Sequence, residues 1–166
     1  MARRWLKSKG VFLGIFAIAF ALVSCASSGD NLLSNQSPSS QIASALTVFR
    51  SPTCSCCSQW IEHMEAAGFR VNDTLTEDMT GIKDQYGVPA SLSSCHTTIV
   101  DGYVVEGHIP AADVQRLLAE SPQVAGIAVP GMPIGSPGME SGDYVEPYSV
   151  FSFTRKGDTT VFAEHS

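Results

Sequence analysis

Three cysteines fall within four consecutive residues of this chain, at Cys54, Cys56 and Cys57. Cys54 and Cys57 have the C-x-x-C spacing that is typical of dithiol redox sites and of some metal sites. A disulfide among these cysteines closes a very small loop and therefore adds little stability through chain entropy. The cluster is expected to act chemically, either as a redox nucleophile or as a set of metal ligands.

A fourth cysteine, Cys95, is followed directly by His96. Thiolate and imidazole ligands together select Cu(I) or Zn(II) and disfavour Mg²⁺ and Ca²⁺. Four nitrogen and sulfur ligands are also enough for a structural zinc site. Further donors are the imidazole of His108 and the thioether of Met132. The predicted metal ligands are Cys54, Cys56, Cys57, Cys95, His96, His108 and Met132.

Hydrophobic patterns place these residues in an alternation of strands and helices. Asp101-Gly102, between two apolar runs, predicts a type I′ hairpin. A Gly/Pro-rich loop is predicted at 126–142, and whether the hairpin after it extends the sheet or caps it is left open. The other predicted elements are strands at 45–49 and 69–75, helices at 57–67, 76–86 and 111–120, and a C-terminal hairpin at 148–163.

This element order predicts an α/β, thioredoxin-like domain with a mixed sheet flanked by helices, the Gly/Pro-rich loop and the C-terminal β-hairpin. In such domains the strand after the second helix begins beside the C-x-x-C turn, commonly with a cis-proline. Here Cys95-His96 occupies that place, and Pro89 is several residues too early. The fold therefore predicts that Cys95 approaches Cys54 and Cys57 closely enough to share a metal.

The first 24 residues have the organisation of an export signal. Four basic residues precede the apolar run 11–23, which is too short to span a bilayer. Leu22-Val23-Ser24-Cys25 resembles the lipobox of bacterial lipoproteins, which implies that Cys25 is lipidated and becomes the mature N-terminus. An ordinary signal cut near Ser24, or an uncleaved anchor, is the alternative. Residues 25–44 are predicted to be a flexible tether to one domain at 45–166.

Charge argues against some classes of partner. The whole chain has 10 basic and 16 acidic residues, and four of the basic ones precede Cys25 while none of the acidic ones do. The chain from Cys25 onward therefore has 6 basic and 16 acidic residues, a net charge of −10. Such a surface disfavours nucleic acid and anionic lipid as partners and weakly attracts cations. Membrane association would come from the lipid on Cys25.

Several blocks of the chain resemble one metal-binding family of unknown function, the one that includes the periplasmic copper-resistance protein CopG; the DNA-binding repressors of the same name are unrelated. Ser55 stands where glycine is usual in this family. The resemblance implies a thioredoxin-like periplasmic protein with a cysteine-bridged copper cluster. Other periplasmic copper-handling proteins would be the partners of such a protein. It rests on Cys54-Ser55-Cys56-Cys57, Trp60, Lys83, Gly87-Val88-Pro89, the segment 92–97, the segment 107–110 and the segment 131–140.

Three functions follow from these observations. The first is a copper(I)-binding protein of copper resistance or transfer, exported to the cell envelope as a lipoprotein. The second is an enzyme, a thiol–disulfide or copper-dependent oxidoreductase that uses Cys54 and Cys57. The third is a structural lipoprotein with a zinc ion or disulfide as a staple.

Overall fold

A computed structural model describes residues 44–166 of the chain. The predicted signal peptide, the lipidation site Cys25 and nearly all of the predicted tether lie outside the described residues. No helix in the described part is long and apolar enough to cross a membrane. The elements are β1 (Ala45–Arg50), α1 (Ser55–Ala66), β2 (Arg70–Leu75), α2 (Met79–Tyr86), a 3-10 turn (Ala90–Leu92), β3 (His96–Val100), β4 (Tyr103–Glu106), α3 (Ala111–Glu120), β5 (Gly126–Ala128), β6 (Tyr148–Phe153) and β7 (Thr159–His165).

All seven strands form one mixed sheet in the order β2-β1-β3-β4-β5-β6-β7. β1 pairs in parallel with β2 and β4 with β5, whereas the other four neighbouring pairs are antiparallel. The predicted α/β class with a mixed sheet is therefore confirmed, and the narrower thioredoxin-like assignment stays a prediction. The C-terminal hairpin β6–β7 extends the sheet, which answers the question that the sequence leaves open.

Helices cover both faces of this sheet. Val104 and Val105 are neighbours in β4 and point to opposite faces, as successive strand residues must. Val105 belongs to the main apolar core, which contains Trp60 of α1 and Leu117 of α3. Val104 belongs to a smaller core that α2 and the turn after it close off. Helices α1 and α3 thus pack on one face and α2 on the other.

Local sequence signals set the ends of these elements as expected. Gly68 and Gly87 have φ values of 93° and 69° after α1 and α2, in the left-handed region that glycine adopts without a steric penalty. Asp78 caps α2 by accepting a hydrogen bond from the Gly81 N–H at 2.8 Å. At the β3–β4 turn, Asp101 and Gly102 have φ values of 46° and 84°. Two positive φ values are what a type I′ turn requires, so that hairpin is confirmed.

The first residues of the predicted loop 126–142 are strand β5, so the expectation that the loop begins at Gly126 is wrong. Gly126–Ala128 is fully buried and pairs in parallel with β4. A side chain at Gly126 would collide with the backbone of Val104, so only glycine permits this close approach. A three-residue strand is too short to show a hydrophobic period, and its glycine gives a loop signal.

Candidate metal centre

The cysteine cluster surrounds the N-terminus of α1. Cys54 is the N-cap residue, with φ −81° and ψ 96°, and its side chain makes no capping hydrogen bond. Cys56 and Cys57 lie in the first turn of the helix. Cys54 and Cys57 form a disulfide with a Cα–Cα distance of 5.4 Å, whereas Cys56 has a free thiol. The Sγ atoms of Cys54 and Cys56 are 3.5 Å apart.

Strand pairing brings Cys95 to this cluster. β1 and β3 are antiparallel, with Arg50 at the end of β1 opposite His96 at the start of β3. The chain leaves β1 toward the cysteines at the same edge at which it enters β3, so Cys95 arrives beside them. Its Sγ lies 3.4 Å from Sγ of Cys57. One ligand atom from each of Cys54, Cys56, Cys57 and Cys95 lies within 4.8 Å of all the others, as the sequence predicts.

Two histidines form a second group around Cys95. The Cys95 Sγ atom lies 2.9 Å from Nε2 of His108 and 3.3 Å from Nδ1 of His96. Ligand atoms of these three residues also lie within 4.8 Å of one another. His96 opens β3, and His108 follows β4 after Gly107. Cys95 is therefore common to a four-sulfur group and to a group of one sulfur and two nitrogens.

His108 is held in one tautomer by the loop that follows β5. Its Nδ1 lies 2.8 Å from the carbonyl oxygen of Pro137, which can only accept a hydrogen bond. Nδ1 must therefore carry the proton, and Nε2 of the neutral ring presents a lone pair toward Cys95. A backbone carbonyl on the distal ring nitrogen is a common way to orient a histidine ligand.

His96 is fully buried, between the rings of Trp60 and His108 at centroid distances of 4.4 and 5.1 Å. Its Nε2 has no hydrogen-bond partner in the described structure. Burial lowers the pKa of His96 well below its ordinary value, and the nearby His108, Lys83 and Arg50 add to this effect. Burial also lowers the pKa of His108, although its bond to Pro137 and the charge of Glu140 oppose the shift. Both rings are neutral at neutral pH and can donate a lone pair.

The metal-free cluster disfavours a thiolate at Cys95. The pKa of its thiol is raised to about 12, first by burial and then by the neighbouring Cys56, whereas a hydrogen bond with Ser94 opposes the change. A bound cation would reverse this balance, because a coordinating thiol is deprotonated. Sulfur atoms and neutral imidazoles at these distances fit a soft or borderline metal ion and do not fit Mg²⁺ or Ca²⁺.

The structure places Met132 differently from the other predicted ligands. Its side chain is 51% exposed and lines a shallow groove with Glu146 and Tyr148. The loop reaches the cysteines instead through Gly138, where an added Cβ would lie 2.7 Å from the carbonyl oxygen of Cys56. A role for Met132 as a ligand stays a prediction.

The two histidines that are given no role in the sequence also make specific contacts. His63 is half-buried in α1, and its Nε2 accepts a hydrogen bond from the Ala111 N–H at 3.1 Å. His165 lies in β7, with its Nε2 2.7 Å from a carboxylate oxygen of Asp113. Neither residue is a member of the two ligand groups.

Sequence reasoning missed the buried Glu106 behind the site. It is fully buried at the end of β4 and forms an ion pair with Lys83 of α2. The one available signal is an acidic residue at the end of an apolar hairpin strand, a place that usually faces solvent. The hydrogen bond from His108 to the Pro137 carbonyl could not be found from side-chain types in the sequence, because its acceptor is a backbone atom.

Comparisons with known proteins agree with this geometry. The family model described as "Protein of unknown function, DUF411" matches residues 92–139, which include Cys95, His96 and His108. The solved structure of copper resistance protein CopG, form 2, is 49% identical over 75% of this chain and 99% of that one, with a TM-score of 0.72. Form 1 is 50% identical over 73% and 96% of the two chains, with a TM-score of 0.70. Among curated proteins none is a significant match. The chain belongs to the DUF411 family of proteins that includes copper resistance protein CopG.

Proposed function

We propose that this chain is an exported copper(I)-binding protein of copper resistance, with copper as its cargo. The observation that carries the proposal is the position of the Cys95 Sγ atom, which belongs both to the four-sulfur group and to the group with His96 and His108. A sulfur with ligand groups on two sides can bridge metal ions. The proposed ligands are Cys54, Cys56, Cys57, Cys95, His96 and His108, with Met132 as an outer thioether donor.

Charge and softness favour copper(I) over zinc in this cluster. Four thiolates within 4.8 Å of one another repel strongly at the low effective dielectric of a partly buried site. A single Zn(II) leaves such a tetrathiolate with a net charge of about −2. Several Cu(I) ions bridged by the sulfurs neutralise more of this charge and suit soft ligands. The name of the similar protein solved in two forms supports copper as the metal.

The disulfide divides the proposed ligands into two sets. While Cys54 and Cys57 are bonded to each other, they are not thiolate ligands, and Cys56, Cys95, His96 and His108 remain as two sulfur and two nitrogen donors. Reduction would release two further thiolates next to Cys56 and Cys95. The capacity for copper is thus expected to be larger in the reduced protein.

A second candidate function is that of a periplasmic thiol–disulfide or copper-dependent oxidoreductase. The favouring observation is the Cys54–Cys57 disulfide at the N-terminus of a helix, with Sγ of Cys95 3.4 Å from Sγ of Cys57. A third sulfur at this distance is available for thiol–disulfide exchange.

We also infer an attachment to the cell envelope through Cys25, with residues 1–24 as a lipoprotein signal and 25–44 as a tether. The support is the basic and apolar sequence before Leu22-Val23-Ser24-Cys25. Lipid rather than protein surface would hold the domain at the membrane, because residues 25–166 carry a net charge of −10. Copper ions and other copper-handling proteins of the same compartment are the proposed partners, and nucleic acid is not.

A metal assay on protein purified from the periplasm tests these functions against one another. Metal content and free thiols are measured before and after chelation, without added reductant and then with it. Copper together with thiols that react only after chelation supports copper binding. Protein without metal and with a reducible Cys54–Cys57 bond supports the oxidoreductase, and one zinc ion per chain supports a structural site.

A further inference from the structure

A buried carboxylate lies behind the metal centre, outside both ligand groups. Glu106 is fully buried at the end of β4, only two residues before His108. Its Oε1 accepts hydrogen bonds from Lys83 Nζ and from the backbone N–H of Ser94, the latter at 2.7 Å. Its Oε2 accepts a hydrogen bond from Thr97 Oγ1 at 2.7 Å. Both carboxylate oxygens are therefore committed to partners that come from three other segments.

Lys83 supplies the opposite charge from α2, on the face of the sheet to which Glu106 points. It belongs to α2, its side chain is 14% exposed, and its Nζ also lies 3.1 Å from Oγ1 of Thr97. A buried ion pair gives little net stability, because desolvation offsets most of the attraction and an apolar pair of similar volume often does as well. The main effect of this ion pair is therefore to fix the positions of the groups that are hydrogen-bonded to it.

The group it holds closest to the metal centre is the backbone just before Cys95. On one side, the Ser94 N–H donates to Glu106. On the other side, the Ser94 hydroxyl donates to the carbonyl oxygen of Gly131, and the Gly131 N–H donates to Ser93 O at 3.2 Å. Beneath the same residue, Gly107 leaves no room for a Cβ, which would collide with the Ser94 side chain. The segment is fixed from three directions.

We propose that Glu106, held by Lys83 and Thr97, is a positioning residue that sets the distance between the sulfur of Cys95 and the imidazole of His108. Glu106 lies two residues before His108 in the chain, and it accepts a hydrogen bond from Ser94, the residue that precedes Cys95. One carboxylate thus joins the segments that carry a sulfur and a nitrogen ligand. This proposal deepens the metal-binding function proposed above and rests on it.

The test uses the full-length protein with its Cys54–Cys57 disulfide intact, so that Cys56 and Cys95 are the free thiols of the described domain. The rate of alkylation at each thiol is followed by mass spectrometry of the separate peptides that contain them. In Glu106→Gln the neutral amide holds Ser94 less firmly. The ratio of the Cys95 rate to the Cys56 rate is expected to rise by about tenfold, since a hydrogen bond to a charged group contributes about that factor or more. Thr97→Val, which removes one partner of the carboxylate, is expected to give a smaller rise.

Two further variants separate positioning from stability. Asp113→Asn disturbs another largely buried carboxylate, the one paired with His165, and is expected to lower the stability without changing the alkylation ratio. Lys83→Met combined with Glu106→Leu replaces the ion pair by apolar groups, which restores stability but not the acceptor for Ser94. The proposal requires the ratio to stay high in this double variant. A wild-type ratio in either the double variant or Glu106→Gln overturns it.

Copper(I) titration of the reduced proteins gives the second readout, with about tenfold weaker binding expected for Glu106→Gln. Alkylation needs no metal, so the two proposals can fail separately. If the wild type binds no copper while the alkylation ratio still rises, the proposed function is wrong and the positioning is retained. If copper binds and the ratio does not change, the positioning is wrong and the function is retained.

Discussion

The Sγ atom of Cys95 lies 2.9 Å from Nε2 of His108, and a bond from Nδ1 of that histidine to the Pro137 carbonyl keeps the Nε2 lone pair free to face the sulfur. Through the two nitrogens of the His108 ring, these contacts link the residue before β3, the end of the β3–β4 hairpin and the loop that follows β5. Whatever the cluster binds, it must accommodate this sulfur and this nitrogen together.

Loss of the Cys95 sulfur is expected to remove more than one copper ion from each chain. Cys95→Ser should lose most of the copper(I) bound by the reduced wild type, because the bridging ligand belongs to both groups. Thermal unfolding should show the same difference, since a ligand that binds the folded state raises its stability. Copper titration with melting curves checks this. A full copper load in Cys95→Ser would place the site elsewhere and favour the oxidoreductase.

Removal of one imidazole should have a milder effect. His108→Ala leaves all four sulfurs, so we expect weaker copper(I) binding rather than loss of the whole cluster. His165→Ala is the matched control, because that histidine pairs with Asp113 and is outside both ligand groups. Met132→Leu is expected to have a small effect, in keeping with its 51% exposure. Competition titrations against a copper(I) chelator give the three affinities, and an equal effect of the two histidine variants would contradict the assignment.

The close approach of the loop after β5 to α1 can be tested by substituting two of its glycines that have similar backbone conformations. Gly138 and Gly131 have φ values of 81° and 71°, so alanine strains the backbone at both. An added Cβ at Gly138 would lie 2.7 Å from Cys56 O and from Trp60 N, whereas at Gly131 it would meet nothing within 4 Å. Gly138→Ala should therefore weaken copper binding and lower the melting temperature more than Gly131→Ala does. Equal effects would mean that strain alone, and not the close approach to α1, matters.

Stability of the metal-free protein with its Cys54–Cys57 disulfide intact should fall in acid because of the two buried histidines. Burial lowers the pKa of both rings below their ordinary value of 6.5, so the unfolded chain binds more protons as the pH falls below that value. The stabilisation is complete above about pH 6.5 and is lost progressively below it, with a slope of up to about 1.4 kcal/mol per pH unit for each histidine. Urea unfolding between pH 7 and pH 5 measures this slope. His96→Phe should make it shallower, and an unchanged slope would contradict the assignment.

Attachment to the membrane is expected to be separable from metal binding. Cys25→Ser should release the protein from membranes or block its maturation, with no change in the copper bound by each chain. Mass spectrometry of the mature N-terminal peptide checks the modification directly. A mature chain that starts at an unmodified Ala26, or that carries a free Cys25, would rule out the lipoprotein assignment.

The sequence is sufficient to predict which cysteines and histidines come together, because the signals there are local. The C-x-x-C spacing, the type I′ dipeptide Asp101-Gly102 and the periodic helix of Trp60 each require only a few residues to recognise. Strand pairing then followed from the element order, which is why the approach of Cys95 to Cys57 could be predicted across 38 residues.

The features that sequence reasoning missed depend on backbone atoms or on distant partners. The carbonyl of Pro137 orients His108, but any residue there would offer a carbonyl. Glu106 is stable in the interior only because Lys83, Thr97 and the Ser94 N–H converge on it, and no local pattern shows that convergence. Strand β5 forms because Gly126 can approach Val104, which is a property of the assembled sheet.

The pairing of Arg50 with His96 brings the two parts of the candidate metal site together. Before β1 and β3 meet, only the three neighbouring cysteines lie near one another, and neither Cys95 nor the histidines can contribute. In an exported chain of the proposed function, the complete ligand set would therefore form only in the compartment where the chain folds.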